Sequence, residues 1–159
     1  MKRSLLTMLV LLLTTLAAMA SERRYTSPDG KYCLIYNEEQ KQYYMHDNRM
    51  NYDYCITCEI PKDNFDDGIL PVWRDDSRYV YISGIYDIWQ IDITRAIAPL
   101  KISRRKNDAP VKYFMIYDGN TLHAGNYIYM ITVNTVTGEG GRASFHQSGY
   151  AYRYRNYRL

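Results

Sequence analysis

Short aromatic runs with a period of two residues constrain the fold of this chain more than any other feature. Eighteen tyrosines among 159 residues fall mostly in segments such as KYCLIY, RYVYI, KYFMIY and NYIYMITV. Aromatic and β-branched residues in alternation, separated by Gly, Asn, Asp and Pro, are typical of strands. An apolar period of 3.6 residues does not persist for three turns, since Pro99 interrupts the nearest candidate, ITRAIAPLKI. The chain is therefore predicted to be nearly all-β.

The first twenty residues have the pattern of a secretory signal peptide. Two basic residues precede an apolar run that ends in the small residues of Ala18-Met19-Ala20, as cleavage sites do. The run turns small and then polar before it reaches the length of about 20 residues that spans a bilayer. We expect a signal peptide at residues 1–20 and a single exported domain at residues 21–159, periplasmic or secreted, with no membrane span after cleavage.

Charge is unevenly distributed along the mature chain. Residues 21–100 carry nine Lys and Arg against 14 Asp and Glu, a net charge of −5, whereas residues 101–159 carry nine against three, a net charge of +6. This asymmetry indicates either a basic face for an acidic partner or two solvated faces that attract each other weakly.

Two segments of the chain align with each other at an offset of 47 residues. The segment that begins SPDGK at residue 27 matches the segment that begins RDDSR at residue 74, and each continues as a short strand, a polar turn and an aromatic strand. The alignment pairs Asp29 with Asp76, Lys31 with Arg78, and Tyr32 with Tyr79. Periods of about 40–50 residues are typical of propeller blades.

The second copy resembles the TolB-type β-propeller repeat, in which a P-x-W-S-P-D-G/S turn precedes a D-I-W-x-hydrophobic-D strand. The resemblance is specific over residues 71–93, although Arg74-Asp75 replaces the usual Ser-Pro there. It is weaker over residues 27–47, where the Trp and the D-I-W strand are missing. It implies propeller-like hairpins in which the motif residues have structural and not catalytic roles. The matching residues are Pro71, Trp73, Asp76, Ser77, Asp87, Ile88, Trp89, Ile91 and Asp92.

The mature chain is too short to close a propeller. Its 139 residues make fewer than three units of 47, and propellers need at least about four blades. A possible third copy at residues 107–141 keeps only the rhythm of strand, turn and strand. The chain therefore assembles with other copies, docks against a partner, or packs by itself. We favour the last, a small antiparallel β-sandwich of two packed sheets, or partial propeller, built of propeller-like hairpins.

Three cysteines leave the disulfide pairing open. Cys55 and Cys58 form a C-x-x-C pair in a segment that reads as strand, where residues three apart lie about 10 Å apart, beyond disulfide reach. An oxidising compartment favours a disulfide, either between these two across a bulge or turn, or between one of them and Cys33. The histidines and Cys33 do not complete a zinc motif, so no metal or cofactor is expected.

Other candidate sites fail on spacing. A calcium loop that began at Asp63 would place Phe65 and Arg74 at ligand positions. The glycines of GEGGR are not followed by the Lys and Ser or Thr of a phosphate loop. His146 and Ser148 would share a face of a strand, but no orienting acid is identifiable. The sequence therefore predicts a protein without enzymatic activity.

The C-terminal segment GYAYRYRNYRL is the most distinctive candidate surface. In a strand, Tyr150, Tyr152 and Tyr154 would lie on one face and Arg153 and Arg155 on the other. This pattern fits an edge strand protected by outward basic residues, and equally a Tyr and Arg surface for a protein partner. Export argues against nucleic-acid binding.

These observations predict an exported, non-enzymatic protein-binding module of a bacterial envelope. The first alternative is a periplasmic immunity protein that neutralises a toxin by binding it. The second is a degenerate propeller from an envelope hydrolase. A protein partner is expected, and a homo-oligomer is possible because an incomplete stack of blades leaves faces uncovered.

Overall fold

A computed structural model of the chain describes most of residues 23–158. The described residues confirm that the chain is all-β, with thirteen strands in three sheets and a short 3-10 turn at Lys62–Asn64. No helix in the described part is long and apolar enough to cross a membrane. The predicted signal peptide and residues 66–69 of the acidic loop lie outside it. The described ranges are 23–65, 70–103, 110–117, 119, 121–125, 127–148 and 151–158, with residues 63, 147, 148 and 151–158 described as backbone only.

The first sheet is an antiparallel meander of four strands in chain order. Short polar side chains fix its turns, since Asn37 accepts the amide of Gln40 at 2.8 Å and Asp47 accepts the amide of Arg49 at 2.9 Å. Its strands are β1 (Arg24–Thr26), β2 (Tyr32–Asn37), β3 (Gln42–Asp47) and β4 (Tyr52–Cys55).

The middle sheet is a second antiparallel meander with one added strand. A short strand from later in the chain, β10 (Thr121–Leu122), pairs in parallel with its first strand. The four meander strands are β5 (Val72–Arg74), β6 (Tyr79–Ser83), β7 (Ile88–Asp92) and β8 (Leu100–Lys101).

The last sheet has four antiparallel strands in the order β13-β12-β11-β9. Asn134 begins the turn between β11 and β12 by accepting the amides of Val136 and Thr137 at 2.9 and 3.0 Å, and Gly138 completes the turn at a φ of +74°. The strands are β9 (Val111–Ile116), β11 (Ile128–Asn134), β12 (Gly140–Ser148) and β13 (Ala151–Arg158).

The middle sheet is buried on both faces, so the three sheets pack as three layers of a small all-β sandwich. All five residues of β6 are buried. Alternate residues of that strand, Val80 and Ile82, pack with the first sheet, whereas Tyr79 and Tyr81 pack with the last sheet. A strand with apolar or aromatic side chains on both faces is typical of a sheet between two layers, and the last sheet supplies the second layer here.

The two aligned segments form the same turn. Asp29 accepts the amide of Lys31 at 3.1 Å, and Asp76 accepts the amide of Arg78 at 3.0 Å. The aligned aspartates therefore have the same local role, which is to cap the turn that enters the second strand of each meander.

Hydrogen bonds join the first and middle sheets at a separation of 48 residues. The indole Nε1 of Trp73 donates to the carbonyl of Tyr25 at 3.1 Å, and the amide of Asp29 donates to the hydroxyl of Ser77 at 3.0 Å. Trp73 therefore fills the junction between two sheets, as a structural motif residue would.

Similar hydrogen bonds hold β10 beside β5 at the edge of the middle sheet. The amide of Asp75 donates to the carbonyl of Leu122 at 2.8 Å, and the Asp75 carboxylate accepts the amide of Ala124 at 2.8 Å. The Ala124 amide, with His123 beside it, lowers the pKa of Asp75. The predicted third copy at residues 107–141 is not one hairpin, because β10 leaves β9 and β11 to join the middle sheet.

The aspartates of the D-I-W-Q-I-D strand are buried and hydrogen-bonded. Asp87 accepts the hydroxyl of Ser103 at 2.7 Å. Asp92 accepts the amide of Thr94 at 2.9 Å and the guanidinium of Arg78 at 3.1 Å. Buried carboxylates with such partners hold loops to a sheet, so these two residues stabilise the fold.

Truncation of a side chain between the first two sheets should destabilise the protein strongly. Ile82 is fully buried, and Ile82→Ala should lower the free energy of unfolding by about 2 to 5 kcal/mol through lost burial and a cavity. Urea unfolding followed by tyrosine and tryptophan fluorescence measures this. Val136→Ala, at a side chain that is 78% exposed, is the control and should change it by less than about 0.5 kcal/mol. Equal effects would contradict the three-layer packing.

Acid should remove the contribution of Asp29 to stability. Partial burial raises the pKa of Asp29, but the Ser27 hydroxyl and the ammonium and amide of Lys31 outweigh it and lower the pKa to about 2. A lowered folded-state pKa stabilises the fold above the unfolded-state value, and this stabilisation is lost as the pH falls from about 4 to about 2. Urea midpoints of wild type and Asp29→Asn should differ at neutral pH and converge over that range. A constant difference would contradict this assignment.

Candidate functional site

The outer face of the last sheet carries a cluster of exposed apolar side chains. Phe114, Ile116, Tyr129 and Ile131, here called the aromatic face, are 44, 49, 57 and 43% exposed. Strand register places Tyr129 opposite Ile116 and Ile131 opposite Phe114. Directly opposed residues have their Cβ atoms about 4.5–5.5 Å apart on the same side of a sheet, so the four side chains form one continuous surface.

The sequence of β9 and β11 explains why this face is apolar. Their alternate residues, led by Tyr113, Ile128 and Met130, are buried against the middle sheet. The intervening residues, apart from Lys112, are apolar too, but they face away from the middle sheet. These two strands therefore have the apolar pattern of strands covered on both sides, although they are covered on one.

A histidine and a tyrosine border the aromatic face. The ring of Tyr127 stands 4.3 Å from the imidazole of His146 and 6.1 Å from the ring of Tyr129. His146 Nε2 lies 3.2 Å from the carbonyl of Gly125, and its Nδ1 is buried with no partner among the described residues. The imidazole is thus packed against Tyr127 and Gly125 at the border of the aromatic face. The side chain of Ser148, the catalytic partner considered for it, lies outside the described residues.

Basic residues occupy the far side of the same face. Arg142 pairs with Ile131, and Lys112 pairs with Val133 at the end of β9. Arg153 and Arg155 of β13 are placed by register opposite His146 and Ser144. The face therefore combines an apolar centre with positively charged residue types on both flanks, a composition that suits an acidic protein surface.

The C-terminal candidate surface lies on the edge strand of this sheet. Tyr152, Arg153, Tyr154 and Arg155 belong to β13, which pairs with β12 alone, whereas Tyr150 lies outside the described residues. Register places Tyr154 opposite the buried Phe145 and Arg155 opposite Ser144, so tyrosine and arginine positions alternate between the two faces of the sheet.

The aromatic face was missed by sequence reasoning. Its residues lie in segments that predicted strands, KYFMIY and NYIYMITV, but the argument for a surface rested on the C-terminal strand. The available signal was that Phe114 and Ile116 alternate with Tyr113 and Met115, so that both faces of β9 are apolar. Which of the two apolar faces of β9 is exposed depends on how many sheets pack together, and the segment itself does not indicate that number.

Cys55 and Cys58 form a disulfide with their Cα atoms 5.7 Å apart. The pair lies across a turn, because β4 ends at Cys55 and does not continue through Cys58 as predicted. Thr57 holds the turn, since its hydroxyl accepts the amide of Tyr43 at 2.9 Å. The structure thus has the first of the two pairings that the sequence left open.

Cys33 is a buried free thiol in a row across the outer face of the first sheet. Register places it opposite His46, which in turn lies opposite Asp53. His46 Nδ1 is 2.7 Å from Asp53 Oδ1, whereas the thiol contacts the carbonyl of Leu34 at 3.9 Å. The histidine is engaged with the aspartate, and the thiol is directed to the backbone. Among the described residues, no group of three His, Cys, Asp or Glu side chains could hold a metal ion.

Comparisons with known proteins give no relative. No family model matches the chain, and neither does any curated protein or any solved structure. The resemblance to TolB-type repeats therefore stays a prediction, and function has to be argued from the surface itself.

Thiol counting should distinguish the disulfide pairing. The unfolded, unreduced protein should take up one alkylating label at Cys33, and the reduced protein should take up three. Mass spectrometry of the labelled peptides measures this, and a label on Cys55 or Cys58 before reduction would contradict the pairing. Replacing both residues by serine should cost about 2 kcal/mol of stability, because the closed loop is short.

Proposed function

We propose that this chain is an exported, non-enzymatic protein-binding module of a bacterial envelope, and that the aromatic face is its binding surface. The observation that carries the proposal is the contiguous exposure of Phe114, Ile116, Tyr129 and Ile131. Soluble monomers rarely expose apolar patches beyond a few hundred Å² unless the patch binds something. Aromatic residues and arginine are enriched where proteins contact each other.

Two further features support a protein as the ligand. The face is a broad sheet surface and not a deep cavity, which suits a macromolecule better than a small molecule. Its flanking residues, Lys112 and Arg142, favour a partner with acidic groups around an apolar centre. The envelope location rests on the predicted signal peptide and on the resemblance of residues 71–93 to TolB-type repeats.

The packing of the reactive side chains supports a role without catalysis. His46 is paired with Asp53, and His146 is stacked on Tyr127. Each group has a structural explanation in the sheet that carries it. Protein binding is therefore the function that the surface of the described residues supports best.

A pull-down from envelope extract tests the binding surface. The mature chain should capture a partner in stoichiometric amount, and Tyr129→Ser with Ile131→Ser should reduce capture by at least about tenfold, as expected of central aromatic contacts. Cross-linking and mass spectrometry identify the partner and the contacted residues. Val136→Ser, in the exposed turn between β11 and β12, is the control and should bind as wild type does.

A second variant separates the two candidate surfaces. Tyr152→Ala with Arg153→Ala changes the C-terminal edge strand and keeps the four apolar residues of the aromatic face. Loss of binding in this variant alone would move the site to the edge strand and contradict the proposal. A captured toxin would assign the module an immunity role.

A further inference from the structure

The three sheets share an aligned segment at the start of their second strand. YIYM at residues 127–130 aligns with YVYI at residues 79–82, and YVYI aligns with YCLI at residues 32–35. These offsets of 48 and 47 residues are close to the separation of 48 residues in the hydrogen bonds that join the first and middle sheets. Equivalent positions can therefore be compared from one sheet to the next.

Equivalent positions become exposed only on the last sheet. The third residue of the segment is Leu34 on the first sheet, 0% exposed in the cluster shared with the middle sheet. On the middle sheet it is Tyr81, 3% exposed in the cluster shared with the last sheet. On the last sheet it is Tyr129, 57% exposed. The aromatic face is thus the face that the following sheet covers in both earlier cases.

The outer face of the first sheet is the counterpart of the aromatic face, because it is the face on which a preceding sheet would pack. Cys33 and Ile35 align with Val80 and Ile82, which are buried against the preceding sheet. On the first sheet these positions face away from the middle sheet. Ile35 borders an open groove of about 450 Å³ that is also lined by Arg24, Tyr44 and Asp53, whereas Cys33 is buried. A following sheet would therefore pack on the outer face of the last sheet, and a preceding sheet would pack on the outer face of the first sheet.

Charge favours contact between unlike ends. Residues 23–55, which include the first sheet, carry five Lys and Arg against five Asp and Glu, whereas residues 110–158, which include the last sheet, carry five against two. The outer face of the first sheet carries both Asp53 and Arg24, whereas Arg142 and Lys112 flank the aromatic face. Two last sheets in contact would bring like charges together, which is unfavourable.

We propose that the aromatic face binds the outer face of the first sheet of a second copy of this chain. This inference rests on the proposed function for the surface it uses and adds the identity of the partner. In a symmetric dimer each copy offers both of its ends, so two contacts of one kind close a ring of sheets. Two copies supply six sheets, within the range of about four to eight found in closed rings of this kind.

Sedimentation velocity on the exported product of the full-length chain tests the proposal. The wild type should have the mass of a dimer and should not grow beyond it as concentration rises. The variant Tyr129→Ser with Ile131→Ser should raise the dissociation constant about tenfold or more, as should Ile35→Arg on the first sheet. Asp53→Arg, at an exposed side chain, is a second first-sheet variant in case Ile35→Arg does not fold. Val136→Ser should remain dimeric.

Mixing the variants decides whether unlike ends meet. Neither the last-sheet nor the first-sheet variant should dimerise alone, but the mixture should form a heterodimer through the one intact pair of ends. A first-sheet variant that still dimerises alone would overturn the proposal, because two last sheets would then be in contact. A monomeric wild type, or one that forms longer chains, would also overturn it. The envelope pull-down separates the two proposals, since capture of another protein by a monomer would leave the binding function standing.

Discussion

Burial of the middle sheet on both faces holds this molecule together. One hydrophobic cluster lies on each of its faces, and each cluster joins it to one outer sheet. The strand β6 supplies both clusters with alternate residues, Val80 and Ile82 to one and Tyr79 and Tyr81 to the other. Because the outer sheets are held through the middle one, its removal would leave two separate meanders, each too small to bury a core alone.

The sequence predicts the local structure well, because that structure is fixed by neighbours in the chain. Period-two aromatic runs predicted strands, and the aspartate turn at Asp29 recurs at Asp76 with the same amide contact. The number of layers and the pairing of β10 with β5 were not predictable from the sequence. The pairing, for example, joins residues about 48 positions apart through a strand of two residues. The turn at Thr57, which brings the cysteines together, likewise depends on the distant Tyr43 amide.

The candidate site shows the same division between local and distant information. The edge position of β13 follows from its alternation of tyrosine and arginine, and the structure places the strand at the edge of the last sheet. The exposure of Tyr129 and Phe114 does not follow from their own segments, which have the pattern of a strand buried on both sides. Exposure is a property of the stack, since it depends on whether another layer lies above.

Tyrosine is well suited to a face that must exist both uncovered and covered. Its ring supplies a large apolar area to a contact, and its hydroxyl keeps a hydrogen bond to water when the contact is absent. At the third position of the aligned segment the residue changes from Leu34 to Tyr81 and Tyr129 along the chain, and only the last of these is exposed. A leucine or isoleucine at position 129 would bind as much apolar surface, but it would make the uncovered protein more prone to unspecific association.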